Sequence, residues 1–133
     1  MTTFYSKDNY YGIFELTKFE YIDVSDWDVS NVKRMTNMFF ACSYLVSIGD
    51  ISNWDVSECE KMSGMFCGCQ SLKELDLSNW NVSKVNDMTC MFEYCKNLKS
   101  VGDLSNWDVS NVKDMCQMFD NSGITNTPNW YKG

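Results

Sequence analysis

The sequence predicts an α/β solenoid of about four 26–27-residue strand-helix coils, and two observations carry that expectation. The first is a phrase that recurs at a fixed interval. It reads VSDWDVSNV over 24–32, ISNWDVSEC over 51–59, LSNWNVSKV over 77–85 and LSNWDVSNV over 104–112. Its tryptophans, Trp27, Trp54, Trp80 and Trp107, are spaced by 27, 26 and 27 residues. Self-similarity at such a period marks stacked repeats, each covering the open face of its neighbour. The second observation is the apolar spacing inside each copy. Methionine stands eight residues after the tryptophan, Met-Phe at eleven and twelve, and cysteine, or Ser122 in the last copy, at fifteen.

Residues 1–20 carry no copy of the phrase but are rich in Phe, Tyr, Ile and Leu, including Phe4, Tyr5, Tyr10, Tyr11, Ile13 and Phe14. A terminal repeat must cover the exposed end of a core, so this segment is expected to be an N-terminal cap. The repeats occupy 21–123. Offsets of 5, 8, 11, 12 and 15 from the tryptophan follow three-and-four spacing, which predicts a short amphipathic helix near 31–41 and at the equivalent positions. Ser30, Ser57, Ser83 and Ser110 stand where helix N-caps would lie, and Ser57 with Glu60 fits a capping box. Asp28, Asp55 and Asp108 suit the positive end of a helix dipole. Strands are expected at 45–51, 72–77 and 98–104. The first and last of these hold one extra residue, Gly49 or Gly102, which accounts for the alternating period and suggests a bulge. Residues 124–133 read as a shortened strand and C-terminal cap, with Pro128, the only proline, at an edge and Trp130 closing an Asn-Trp pair.

Composition narrows the function. A chain of 133 residues, 44% hydrophobic, is long enough for one packed core. A net charge of −7 argues against nucleic acid or an anionic membrane as partner and for a basic or neutral protein. No apolar run approaches the roughly 18 residues of a membrane span, and the start lacks a signal-peptide pattern, so membrane insertion is not expected and the chain as written reads as cytoplasmic. The seven cysteines are odd in number and read as free thiols in a reducing compartment.

The pattern C-x-x-L-x-x-L-x-L-S-N-W, then V-S-x-V-x-x-M-x-x-M-F, clearest over 69–92, resembles the BspA-like leucine-rich-repeat surface proteins. It is most similar to the tryptophan-containing version found in mycoplasma lipoproteins. The resemblance spans roughly residues 21–130. It implies a leucine-rich-repeat-like solenoid with no general catalytic activity, of a kind whose members act as cell-surface adhesins for proteins.

An aspartate precedes each tryptophan by four residues: Asp23, Asp50, Asp76 and Asp103. Stacked at strand spacing, these form either an acidic stripe for a basic partner or a row of solvated turn caps. The Ser-Asn pairs before the tryptophans read as a corner ladder, the tryptophans and methionines as core, and the periodic cysteines as small core residues. A thiol-metal site at Cys67, Cys69, Cys90 and Cys95 lacks the usual knuckle spacing. With no histidine, Ser-His and Cys-His nucleophiles are excluded. The expected function is therefore non-enzymatic protein binding, with no cofactor and no metal. The expected contact residues are Asp50, Asp76 and Asp103 with the variable Lys73, Glu74, Lys99 and Ser100 on the strand-lined face. The alternative is a structural element that stacks end to end with other copies through its edge coils.

Overall fold

The structure is a computed structural model and describes residue 10 and residues 12–133. Of the N-terminal cap residues, Phe4, Tyr5 and Tyr11 lie outside the described residues. The strand-helix architecture does not form. Among the described residues there is no α-helix, and strand pairing is confined to isolated parallel bridges.

The stretch expected to be helical is a ribbon of successive β-turns. In coil 1 the amides of Met38, Phe40 and Cys42 donate to the carbonyls of Met35, Asn37 and Phe39, three residues back. The intervening amides leave the coil altogether: Met35, Asn37, Phe39 and Ala41 donate to Lys61, Ser63, Met65 and Cys67 of coil 2 at 2.7–2.9 Å. A helix needs every amide to bond within the segment, so this lateral use of alternate amides replaces it. The ribbon also requires left-handed backbone at two places per coil. Asn37 and Ala41 have φ of 56° and 58°, matched by Gly64 and Gly68, by Cys90 and Tyr94, and by Gln117 and Asn121. Asn37 and Ala41 each stand third in a turn closed by Met38 or Cys42, the place where a type II turn requires positive φ. Because each turn returns the chain to the same face, Met35, Met38, Phe39 and Cys42 all point inward and are fully buried. Turn ribbon and helix thus share one apolar spacing, which is why the periodicity misled.

The N-cap and capping-box expectations fail for the same reason. Ser30, Ser57 and Ser110 cap no helix; their amides and hydroxyls donate to Asp28, Asp55 and Asp108 two residues back, and the Ser83 amide donates to Asn81. The amide of Glu60 donates to Lys33, so it belongs to the inter-coil ladder rather than to a capping box. The expected strands at 45–51, 72–77 and 98–104 are extended segments reduced to the single bridges Tyr21↔Ser47 and Glu74↔Ser100. A second row, Arg34↔Lys61, Lys61↔Asp87 and Asp87↔Asp114, runs unbroken through all four coils.

What stacks inside is the identity of the repeat. Phe14, Phe39, Phe66, Phe92 and Phe119 form a column with successive ring centroids 5.4–5.7 Å apart and planes within 14° of parallel. Tyr131 closes it edge-on against Phe119 at 5.0 Å. Each buried phenylalanine contributes about 1.5–3 kcal/mol of transfer free energy. The tryptophans add a hydrogen-bonded corner. Trp54, Trp80, Trp107 and Trp130 donate their indole N–H to the carbonyls of Val24, Ile51, Leu77 and Leu104 in the coil before, at 2.8–3.1 Å. Each of those carbonyls also accepts the amide three residues on, so one oxygen closes the corner and ties two coils together. The periodic cysteines do the same with thiols: Cys42, Cys69 and Cys95 donate to Phe14, Phe39 and Phe66 at 2.9–3.2 Å.

Candidate functional site

The acidic stripe forms as a row of turn-closing carboxylates. Asp23 and Asp76 accept both the amide and the hydroxyl of Ser25 and Ser78, at 3.0–3.1 Å and 2.6 Å respectively. The Asp50 and Asp103 carboxylates accept the amides of Ser52 and Ser105 at 2.9 Å. All four aspartates are exposed. These bonds favour the ionised form: the Ser52 and Ser78 hydroxyls, then their amides, hold Asp50 and Asp76 below the ordinary carboxylate value. For Asp103 the Ser105 amide is the larger cause. Asp50 acts in the opposite sense on Asp76, as expected of like charges on adjacent coils.

The extended segments of this face are joined in pairs rather than continuously. Coils 1 and 2 are tied by Val46 N–H to Glu20, Ile22 N–H to Ser47 and Val24 N–H to Ile48. Coils 3 and 4 repeat the pattern with Lys99 to Lys73, Leu75 to Ser100 and Leu77 to Val101. Between coils 2 and 3 the three equivalent bonds are absent among the described residues. They would pair the amides of Ile48, Ile51 and Lys73 with the carbonyls of Glu74, Leu75 and Val46. The glycine-bearing coil is the second of each joined pair. Gly49 and Gly102 both have φ of 83°, and the aspartate of the preceding coil, Asp23 or Asp76, lies against each where a Cβ would stand. Asp50 meets no such glycine in coil 3, which has one residue fewer.

The unpaired junction is a groove of about 720 Å³. It brings together Asp50, Lys73, Glu74, Asp76, Ser100 and Asp103 of the predicted contact residues. Lys99 is not among its lining residues; with Ser100 and Asp103 it borders a second groove of about 450 Å³ against residues 124–129. Sequence reasoning missed the backbone of Ile48, Ile51 and Leu75 and the gap itself. The signal was present in the alternation of glycine-bearing and glycine-free coils.

The thiols are free. Burial is the leading cause that pushes Cys42 up to about 11 and Cys59 and Cys95 up to about 12, with Cys69 also raised. Among the described residues no three Cys, Asp or Glu side chains converge as a metal site.

No curated protein and no solved structure matches the chain. A family model does match, over residues 8–130, and it describes a mycoplasma protein of unknown function. The chain therefore belongs to that family, DUF285.

Proposed function

We propose that the chain is a non-enzymatic, adhesin-like binding module that takes a protein partner on the face carrying Asp50, Asp76, Asp103, Lys73, Glu74, Lys99 and Ser100. The observation that carries this reading is the 720 Å³ groove, in which all of these except Lys99 line one concave surface. Its walls hold four carboxylates, Asp50, Glu74, Asp76 and Asp103, against the single ammonium of Lys73. Together with a net charge of −7 this favours a basic protein surface and disfavours nucleic acid and anionic lipid. The similarity of the repeats to BspA-like surface proteins supports the same class of function. Replacing Asp50, Asp76 and Asp103 together by lysine and repeating capture from the native host tests it. Loss of captured protein is expected; undiminished capture by a folded variant removes the reading.

A second reading, end-to-end association of copies, draws support from the last turn ribbon. The amides of Met115, Gln117 and Asn121, whose counterparts in earlier coils donate to the next coil, make no hydrogen bond among the described residues. Light scattering over a wide concentration range separates the two readings, since a constant monomer mass excludes association.

A further inference from the structure

Resting on the protein-binding reading, we propose that the groove between coils 2 and 3 is an arginine site, occupied by an extended segment of the partner whose guanidinium lies between Asp50 and Asp76. Three features of the junction point to this occupant. The first is charge: Asp50 and Asp76 line the groove from adjacent coils, the Asp50 charge opposes the ionisation of Asp76, and Glu74 and Asp103 add two further carboxylates. A cation between the walls relieves that repulsion. The second is unused bonding capacity. The Ser78 amide and hydroxyl both bond Oδ1 of Asp76, which leaves its Oδ2 able to accept, and the Ser52 amide bonds Oδ1 of Asp50. Among the described residues the carbonyls of Val46, Glu74 and Leu75 also lack partners. The junction thus offers several acceptors along one groove.

The third feature is that the matching junctions on either side are closed. Between coils 1 and 2, and between coils 3 and 4, the same backbone positions are already bonded to each other. Asp23 and Asp76 there lie against Gly49 and Gly102. The acidic row is therefore periodic, whereas the acceptor-rich opening is particular to one place in it. Arginine fits better than lysine because its planar guanidinium presents five donors in a fixed fork and is more weakly hydrated than an ammonium. The open amides of Ile48, Ile51 and Lys73 on the same walls suit the carbonyls of an extended backbone on either side of that arginine.

The test uses the whole chain, uniformly labelled for amide NMR, and an acetylated, amidated peptide Gly-Ser-Arg-Ser-Gly with its lysine and citrulline analogues. The arginine peptide should shift the amides of Ile48, Asp50, Ile51 and Lys73 through Asp76, and the citrulline analogue should leave them unmoved. Asp50→Asn with Asp76→Asn should weaken binding by about tenfold, the scale of one lost charge-assisted interaction. These variants keep the turns, because Asn81 already accepts the Ser83 amide at 3.0 Å in the same kind of turn. Asp55→Asn with Asp108→Asn serves as the control of equal charge and should bind normally. Equal weakening in both pairs, shifts spread evenly over all the aspartates, or equal binding of lysine and arginine would each overturn the proposal. If the peptide fails while partner capture still depends on Asp50, Asp76 and Asp103, the arginine site falls and protein binding stands. If the peptide binds as described but no protein is captured through this face, the protein-binding reading falls instead.

Discussion

Asp76 lies so close over Gly102 that a Cβ on the glycine would come within 2.5 Å of the carboxyl oxygen. The same added atom would stand 3.3 Å from the Ser78 amide nitrogen, and the backbone there has φ of 83°. Gly102→Ala should therefore destabilise the fold by about 2 kcal/mol, combining left-handed strain with displacement of the carboxylate. Urea unfolding measures it. A change near zero would mean that coils 3 and 4 are not held in this arrangement.

The converse holds in the turn ribbon, where Ala41 occupies a left-handed position that coil 2 fills with Gly68. Ala41→Gly should stabilise by about 0.5–1 kcal/mol, since relief of the left-handed strain exceeds the added entropy of the unfolded chain. A helix at 31–41 would give the opposite sign, because glycine weakens a helix interior. The thermal midpoint of this one variant thus distinguishes ribbon from helix.

Removing one indole donor tests the corner. Trp80→Phe keeps most of the apolar surface but takes away the hydrogen bond to the Ile51 carbonyl at 2.9 Å. The loss should be about 1–3 kcal/mol by chemical denaturation, from the unmade bond and the space left by the smaller ring.

The aspartate turns predict acid sensitivity. Hydrogen bonds from Ser25, Ser30, Ser52, Ser57, Ser78, Ser105 and Ser110 lower the pKa values of Asp23, Asp28, Asp50, Asp55, Asp76, Asp103 and Asp108. A carboxyl whose folded pKa is below its unfolded one binds fewer protons when folded. Its stabilisation is present above the unfolded value, about 4, and is lost as pH falls through the folded value. The urea midpoint should hold steady down to about pH 5 and then fall. Asp76→Asn, which keeps an acceptor but does not titrate, should flatten that fall.

Thiol accessibility gives the last prediction. Cys116 is exposed, whereas Cys42, Cys69 and Cys95 are fully buried and donate to neighbouring carbonyls. A maleimide should modify Cys116 in the native protein and reach those three only on unfolding, which peptide mass mapping will resolve. Native labelling of Cys69 at the rate of Cys116 would contradict the packing of coils 2 and 3.

Sequence legibility ended where side-chain spacing ceased to specify backbone bonding. The positions that face inward could be read correctly from Met35, Met38, Phe39 and Cys42, because burial follows the apolar pattern whichever turn produces it. The helix could not, since turn ribbon and helix place those four residues alike. Gly64 and Gly68 in the ribbon of coil 2 and Asn37 in coil 1 were the available warning: glycine and asparagine tolerate left-handed backbone and are poor helix-interior residues. At the site, the aspartates could be read from their spacing. The groove could not, because it depends on which amides of neighbouring coils fail to meet, and only the presence or absence of Gly49 and Gly102 hinted at it.

The alternation of joined and open junctions changes what counts as the unit of this protein. Trp27 to Trp80 and Trp54 to Trp107 are each 53 residues, so the block that repeats faithfully is two coils long. Lengthening the chain by one such block would add one closed junction and one opening, and would leave the phase of the column intact. Inserting a single coil between two others would set two glycine-bearing coils, or two glycine-free ones, side by side and reverse the phase of everything beyond. Parity, as much as copy number, therefore governs how chains of this kind can be extended without losing a site.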